Sequence, residues 1–497
     1  MSKSTQDASS ALPRQFQSAT KWLAELRDRR IGAVELLQLH LKQIEKHNPR
    51  LNLVVAQDIE GALAAARQAD NKKSDLPPLH GLPMTVKDSF EATGMPTTCG
   101  FPFLADHRPT HDADAVAQLK NAGAIVFGKT NLPTGAGDHQ SFNPLFGTSR
   151  NPWDTSKCVG GSSGGSAAAL ASGMTPLELG SDIAGSIRVP AHFCGVYGHK
   201  PSFGIVSIRG HIPPLPGGDA FVDMGVAGPL ARSAEDLELA LDVLVGAGDS
   251  ASKAWSVAIP QSRHERLDGF RVAAWIDDGY ALDDGCRAQL HDYIDALREA
   301  GARVTIGARP EIDLSEAFET FFVTLNAVIA AMSPQDMMEA VHAKAKERAE
   351  AGDPYAAIIE RSVQMSHSEF VGWSRQRVKL MAAWARFFES YDVLLCPANT
   401  TTAFDHDHSH AELGQLAATM RKISAGGSER PYADQFQWSS MAAAADLPAT
   451  AIPTGRFVDG LPVGLQVIGP ALEDRTPIRF AQLVEKQLGG FVRPSSI

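Results

Sequence analysis

The feature that most constrains this chain is a stretch dense in glycine and serine, which begins at Cys158 and ends at Pro190. Its first half contains Gly160-Gly161-Ser162-Ser163-Gly164-Gly165-Ser166, in which glycines surround three hydroxyl side chains. Glycine is used where the backbone must adopt conformations closed to other residues, or where another group must approach it closely. The stretch therefore predicts an unusual backbone conformation, or a backbone against which another group packs.

The second half of the stretch carries a candidate nucleophile. The run Gly180-Ser181-Asp182-Ile183-Ala184-Gly185-Ser186 ends in a serine at the predicted start of a helix. A serine at such a turn is exposed, and the backbone N–H groups before it can converge on one point, as an oxyanion hole requires. A serine before an apolar run is also a common helix cap. On these residues alone, both interpretations of Ser186 stay open.

Three positions place this stretch in a known context. Lys87 lies in GLPMTVKDSF, and Ser162 and Ser186 lie in the two glycine-serine runs. Together they resemble the signature of the amidase signature family of serine hydrolases. Other segments are similar to the same family: Gly128-Lys129-Thr130-Asn131, Arg150-Asn151-Pro152-Trp153 and Leu461-Pro462-Val463-Gly464-Leu465-Gln466. The resemblance extends from about Ile31 to the end of the chain.

The resemblance implies a catalytic triad with a proton relay. Ser186 is then the nucleophile, Ser162 takes its proton, and Lys87 receives that proton as a neutral amine. A free lysine has a pKa of about 10.4, so Lys87 has to lie away from water and from carboxylates. The adjacent Asp88 is expected to point to the opposite face of the strand. The resemblance also implies a cis peptide bond between Gly161 and Ser162.

Further residues are expected around this triad. The predicted oxyanion hole consists of the backbone N–H groups of Ile183, Ala184, Gly185 and Ser186. Ala184 stands where many family members have glycine, and it would be strained if that position required a positive φ. The predicted structural support consists of Ser163 and an ion pair between Asp182 and Arg188. The resemblance implies that the substrate is bound beside its leaving group by Ala136, Gly137 and Asp138.

Alternating strand and helix patterns predict an α/β fold. Together with the resemblance, they predict a single large domain over residues 1–497, with a mixed central β-sheet covered by helices on both faces. Residues 1–15 are predicted to form a mobile tail. Asn48-Pro49 is expected to end an early helix. From Leu314 to Glu389 the pattern is almost continuous helix, which predicts a helical elaboration around residues 310–390 rather than a second domain.

The composition limits the expected partners and compartment. The formal net charge of −11 argues against nucleic acid and against an anionic membrane surface, since either would favour a basic patch. The five cysteines form no CxxC pair, which indicates reduced thiols. The sequence has no signal-peptide pattern and no apolar run near the ~20 residues of a membrane-spanning helix. We therefore expect a cytoplasmic protein with a small-molecule amide-type substrate, no nucleic acid and no membrane, and we leave a homodimer open.

The resemblance allows two catalytic functions. The leading one is hydrolysis of a carboxylic amide, or a related anilide, carbamate or ester, through an acyl-enzyme on Ser186. The alternative is a glutaminase (amidotransferase A-type) subunit that supplies ammonia for tRNA-dependent transamidation. Such subunits generally carry Gln where Val189 stands and a different loop where Arg209–Val226 stands, which favours the first function. A non-catalytic binding protein would have lost a triad position, and none is lost.

Three further patterns bear on ligands. The run Gly160–Ser166 lacks the lysine of a phosphate-binding loop and the GxGxxG spacing, so no nucleotide site is expected. The tract His406–His410 is of a composition that binds metals, but it lies in a predicted loop without a second ligand cluster. We therefore expect no metal and no cofactor.

The helix from Leu314 to Met332 is apolar over much of its circumference. It either packs on two sides in the core or, with Phe101 and Phe103, forms a wall at the mouth of the pocket. The second interpretation predicts bulky apolar substrates.

Overall fold

Strands and helices alternate along much of this chain. The computed structural model describes residues 12–217, 222–248, 251–409 and 421–497. The strands are β1 Val54–Gln57, β2 Pro83–Lys87, β3 Ile125–Thr130, β4 Phe142–Asn143, β5 Gly147–Thr148, β6 Leu177–Asp182, β7 Tyr197–Lys200, β8 Val226–Ala231, β9 Arg271–Ala274, β10 Arg303–Ile306, β11 Val393–Pro397, β12 Lys422–Ala425, β13 Ser428–Pro431, β14 Ala449–Val458 and β15 Leu461–Ile468.

The helices fill the connections between these strands. They are α1 Ala19–Arg27, α2 Ala33–Leu51, α3 Ile59–Asn71, α4 Asp114–Asn121, α5 Gly164–Ala171, α6 Arg188–Cys194, α7 Ala234–Leu244, α8 Asp284–Glu299, α9 Leu314–Met332, α10 Gln335–Glu350, α11 Pro354–Val363, α12 His367–Ser390, α13 Gln437–Ala444 and α14 Arg475–Leu488.

Within the described residues, eleven strands form one sheet in the order β1-β3-β2-β6-β8-β7-β14-β15-β11-β9-β10. Strands β3, β2 and β6 run parallel to one another, as do β11, β9 and β10. The strands between these two groups pair antiparallel, and so does β1 with β3. The mixed central sheet predicted from the sequence is confirmed.

The two faces of the sheet carry separate hydrophobic cores, because side chains alternate along each strand. On β9, Val272 points into the larger core and Ala273 into the second. On β11, Val393 and Leu394 divide in the same way. The larger core receives buried residues from α1 to α8 and from α14, whereas the second receives them from α9 to α13. Helices therefore cover both faces of the sheet, as predicted.

The helical elaboration is confirmed as α9 to α12. The pattern is interrupted where new helices begin, at Pro334, Asp353 and Ser366. Asp353 and Ser366 cap their helices with side-chain hydrogen bonds to backbone N–H groups, which fixes these boundaries. Among the described residues, one helix, α9, is long and apolar enough to cross a membrane, but 56% of its apolar window is buried inside the fold.

Two expectations near the start of the chain change. Helix α2 continues past Asn48-Pro49 to Leu51 because a proline in the last turn removes only one hydrogen bond, and the Asn48 side chain accepts from the N–H groups of Leu53 and Val54. Residues 1–11 of the predicted tail lie outside the described residues. Arg14–Phe16 form a 3₁₀ turn with Phe16 buried, so Arg14 and Gln15 belong to this turn and not to the predicted tail.

Candidate active site

The site begins at the carboxyl end of β2, where Lys87 is the last residue. This strand is buried along its whole length and runs parallel to β3 and β6. Parallel strands end at the same edge of a sheet, so Lys87 lies beside the end of β6. Its side chain is fully buried, and Nζ lies 2.6 Å from Ser162 Oγ and 2.9 Å from Ser181 Oγ.

Burial changes the protonation of Lys87. Removal from water lowers the pKa of this lysine from 10.5 to about 7, and the opposing effects of Cys99 and Asp182 are smaller. The neighbouring Asp88 pairs instead with Lys129, with 3.2 Å between Oδ1 and Nζ. Because the Asp88 carboxylate is engaged there, the amine form of Lys87 is accessible near neutral pH.

The glycine-rich turn before α5 holds Ser162. The Gly161–Ser162 peptide bond is cis. Position 161 requires glycine, because a Cβ there would lie 2.1 Å from the carbonyl oxygen of Asp138. The N–H of Ser163 donates to the carbonyl oxygen of Ser186 at 3.0 Å. This bond joins the turn that carries Ser162 to the turn that carries Ser186.

A buried ion pair stabilises the turn that carries Ser186. Arg188 donates from Nη2 to Asp182 Oδ1 at 2.9 Å and from Nε to Asp182 Oδ2 at 3.0 Å. The same carboxylate accepts from the N–H of Gly185 at 2.8 Å and from the N–H of Ile187 at 3.0 Å. The loop between β6 and α6 is therefore fixed at both ends by one carboxylate.

This network corrects the predicted oxyanion hole. The N–H of Gly185 is directed at the Asp182 carboxylate, so it is not available to a substrate oxygen. Ala184 is not among the described residues with positive φ, so the strain considered for an alanine at this position does not arise. Ile183, Ala184 and Ser186 line a small cavity, and the hole stays a prediction for these three N–H groups.

The three predicted catalytic residues lie at the base of the site. Ser162 and Ser186 line one cavity of about 50 Å³, together with Ser181 and His211. Lys87 does not line this cavity itself, but it is connected to it by the hydrogen bond to Ser162. The structure therefore brings Lys87 into direct contact with Ser162 and places both serines on the lining of one cavity.

The predicted substrate-binding residues line the small cavity that Ile183 and Ala184 also line. Ala136, Gly137 and Asp138 lie there beside Ser186, whereas Ser162 lines the cavity of about 50 Å³ instead. The carboxylate of Asp138 accepts from Arg421 Nη2 at 2.7 Å and from the hydroxyl of Tyr432 at 2.9 Å. Asp138 is therefore already paired within the protein.

A larger apolar cavity of about 430 Å³ adjoins these small ones. It shares Gly137 and Asn326 with the small cavity that Ile183, Ala184 and Ser186 line. Ile329 and Met332, at the end of α9, line it together with Phe101. Phe103, which the sequence also placed at the pocket mouth, is 62% exposed and does not line the cavity.

The first half of α9 packs in the second hydrophobic core. Its Phe318 and Phe321 are buried there. The helix therefore packs in this core along much of its length, while Ile329 and Met332 near its end line the large cavity with Phe101 but without Phe103. That this cavity is the mouth of a substrate pocket stays a prediction.

Comparison with known proteins identifies the family. A family model described as Amidase matches residues 35–477. The chain belongs to the amidase signature family. The A subunit of the glutamyl-tRNA(Gln) amidotransferase of Acidothermus cellulolyticus is 31% identical to this amidase over 94% of each chain. The reaction class follows from the family: the protein is a hydrolase that acts on carbon–nitrogen amide bonds.

Solved structures agree with the fold of this amidase. One is a chain of a vestigial protein complex that reveals the evolutionary origins of an s-triazine catabolic enzyme, with a TM-score of 0.78 and 27% identity, and the match covers 96% of this amidase and 100% of that chain. Another is the A subunit of the glutamyl-tRNA(Gln) amidotransferase from Thermotoga maritima, with a TM-score of 0.75 and 25% identity, covering 98% and 99% of the two chains.

Two residues of the amidase site were not predicted from the sequence. Ser181 lies in the second glycine-serine run, and its place near the end of β6, beside β2, is a signal that could have singled it out. His211 lies 30 residues further along the chain in a loop without any periodic pattern, and no sequence signal indicates it. The structure places His211 Nε2 at 2.8 Å from Ser181 Oγ.

The His-rich tract of the amidase is described only in part, since His410 lies outside the described residues. The rings of His406 and His408 are 5.6 Å apart, and His408 stacks on Phe142 and lines the apolar cavity. The part of the chain that the structure describes contains no group of three or more His, Cys, Asp or Glu side chains that could hold a metal ion.

Arg188→Met is expected to lower the free energy of unfolding of the amidase by about 3–5 kcal/mol, because it leaves the buried Asp182 carboxylate without its charged partner. Denaturant unfolding followed by fluorescence measures this loss. The control is Arg266→Met, which removes an exposed pair with Asp268 and is expected to leave the unfolding midpoint unchanged. Equal midpoints for the two variants would contradict a supporting role for the buried pair.

Proposed function

We propose that this protein hydrolyses a carboxylic amide through an acyl-enzyme on Ser186, with Ser162 and Lys87 as a proton relay. The observation that carries the proposal is the 2.6 Å contact between Lys87 Nζ and Ser162 Oγ, made by a buried lysine whose pKa is lowered to about 7. A serine hydroxyl needs a base to act as a nucleophile, and a neutral lysine amine supplies one through the second serine.

The acylation step balances its protons through this relay. Ser186 Oγ bonds to the carbonyl carbon while its proton passes to Ser162 Oγ, and the Ser162 proton passes to Lys87 Nζ. The carbonyl oxygen becomes an oxyanion, for which the N–H groups of Ile183, Ala184 and Ser186 are the proposed donors. When the carbon–nitrogen bond breaks, the amine leaves with a proton returned from Lys87 through Ser162. Water then attacks the ester carbonyl and gives a proton to the same relay, which returns a proton to Ser186 Oγ as the ester bond breaks and the acid leaves.

The large cavity supports apolar substrates. Of the described residues that line it, none is Asp, Glu, Lys or Arg, and most are Phe, Pro, Ile, Val, Met or Leu. Burial of an apolar group in such a space gains ~25 cal/mol per Å², whereas a charged group loses its hydration without a partner. We infer that one side of the substrate is a bulky apolar group, such as an aryl or a long acyl group.

A series of acyl para-nitroanilides tests this inference. We expect kcat/KM to rise about fourfold for each methylene added to the acyl chain until the cavity is filled, because each buried methylene contributes about 0.8 kcal/mol. Met338→Trp narrows the large cavity without touching the small ones, so it should flatten this rise for long chains. Val378→Trp, on an exposed position of α12, is the matched control. A preference for acetamide or glutamine over the long anilides would refute the apolar-wall interpretation.

A second candidate function is that of a glutaminase component which supplies ammonia for tRNA-dependent transamidation. It is favoured by the 31% identity to the A subunit of a glutamyl-tRNA(Gln) amidotransferase over 94% of both chains. The cavity argues the other way, because free glutamine carries two charges at its α-carbon and the lining of the cavity offers no charged side chain within the described residues.

The purified chain alone separates the two candidates. We compare kcat/KM for glutamine with kcat/KM for hexanoyl para-nitroanilide, with no other protein and no tRNA added. An anilide preference supports the first function. Ammonia release from glutamine with no anilide turnover supports the second, and it would also remove the expectation that nucleic acid plays no part. Sedimentation of the same sample tests whether the chain forms the homodimer that the sequence leaves open.

A further inference from the structure

His211 lies at the edge of the cavity that contains the two serines. Its Nε2 is 2.8 Å from Ser181 Oγ, and its Nδ1 is 3.1 Å from the carbonyl oxygen of Pro213. The imidazole packs edge-on against Phe90, with 5.0 Å between the ring centroids. Both ring nitrogens therefore have defined partners, and Phe90 holds the ring in place.

These partners determine the tautomer of His211. A carbonyl oxygen only accepts hydrogen bonds, so Nδ1 must carry a proton and donate it to Pro213. Burial and, to a smaller extent, the charge of Lys87 lower the pKa of His211 to about 3, so the ring is neutral. A neutral imidazole has one protonated nitrogen, and its Nε2 is therefore an acceptor. The hydroxyl of Ser181 is then the donor in the 2.8 Å contact.

The direction of this bond determines the direction of the next ones. Ser181 has one hydroxyl proton, and once that proton is given to His211 its oxygen can only accept from Lys87, at 2.9 Å. A neutral Lys87 donates through an N–H to Ser181 and keeps its lone pair for another group. Ser162 Oγ, at 2.6 Å, is the hydroxyl that can give its proton to this lone pair.

We propose that His211 is a positioning residue, which holds the Ser181 hydroxyl as an acceptor and thereby leaves the lone pair of Lys87 directed at Ser162. This rests on the proposed function, in which Lys87 is the base of the relay. Without an acceptor at position 211, the Ser181 hydroxyl can turn and donate to Lys87. The lone pair would then be occupied and the relay blocked.

Two substitutions separate this role from a merely structural one. His211→Gln places a carbonyl oxygen near the position of Nε2 and keeps an acceptor for Ser181. His211→Asn places its polar atoms near the position of Nδ1, so it keeps the contact to Pro213 but loses the acceptor. A role in holding the loop predicts that Asn is the better replacement, whereas the positioning role predicts that Gln is.

The measurement is the rate at which a fluorophosphonate labels Ser186 as a function of pH, which needs no knowledge of the natural substrate. For His211→Asn we expect the plateau rate to fall about tenfold and the acid limb to move to lower pH, because a donated hydrogen bond disfavours protonation of Lys87. For His211→Gln we expect a rate within about twofold of the wild type and an unmoved limb. Cys99 and Asp182, the other groups that shift the pKa of Lys87, are the same in all variants.

Ser181→Ala provides the matched background. With no hydroxyl at position 181 to reorient, His211→Asn should change the labelling rate by less than about twofold in the Ser181→Ala protein. This comparison decides the question even if His211→Gln does not fold. Equal effects of His211→Asn in both backgrounds, or Asn matching the wild type, would overturn the proposal. Failure of the wild type to be labelled at Ser186 would instead overturn the proposed function.

Discussion

Ser186→Ala is expected to reduce amide hydrolysis on the order of 10⁶-fold in kcat, to the limit of detection, with the fold unchanged. The other serine of the proposed triad, Ser162, is hydrogen-bonded to Lys87 at 2.6 Å and is therefore not expected to replace Ser186 as the nucleophile. Alanine at position 186 removes one oxygen from a residue that is 5% exposed and leaves the Asp182–Arg188 network intact. The test uses turnover of hexanoyl para-nitroanilide together with mass spectrometry of the fluorophosphonate-labelled protein.

The position of the fluorophosphonate label identifies the nucleophile directly. In the wild type, we expect one adduct on the peptide that contains Ser186, and in Ser186→Ala we expect none. A label on Ser162 or Ser181 in the wild type would sink the assignment of the nucleophile. Circular dichroism of the alanine variant shows whether a loss of activity comes from chemistry or from unfolding.

Lys87→Ala is expected to lower kcat by about 10⁴-fold, because it removes the base that accepts the proton from the relay. Lys87→Met keeps most of the side-chain volume in this fully buried position, so it separates the loss of the amine from the loss of packing. Ser162→Ala should cost less, since the amine is retained. Activity of Lys87→Met within tenfold of the wild type would contradict a catalytic lysine.

The same lysine sets the expected pH dependence. Only its amine form accepts a proton, and its pKa is lowered to about 7 by burial. Below that pH the rate should fall about tenfold for each pH unit, and above it the rate should reach a plateau. The profile of kcat/KM from pH 5 to 9 measures this. A rate that is flat through neutrality, or that falls as pH rises, would exclude the relay in this form.

The α/β fold class could be predicted from the sequence pattern, whereas the candidate catalytic residues followed from the family resemblance, since the residues alone left Ser186 as either a nucleophile or a helix cap. Glycine at position 161 is required by a close backbone contact, so this part of the motif can be recognised in the sequence. Strand and helix periodicity follows from local burial, which is why the α/β class and the helical stretch from Leu314 to Glu389 could be predicted, whereas the mixed sheet was implied by the family resemblance. The predicted end of α2 was wrong because capping by Asn48 depends on the residues that follow.

What these residues can do depends on the folded chain. The pKa of Lys87 depends on how completely β2, β6 and the glycine-rich turn exclude water, and no local pattern reports that quantity. The N–H of Gly185 was lost from the predicted oxyanion hole because the Asp182 carboxylate turns back on its own loop. His211 reached Ser181 through a loop that has no periodicity. Burial and hydrogen-bond direction arise between segments distant in sequence, so they become defined only when the chain is folded.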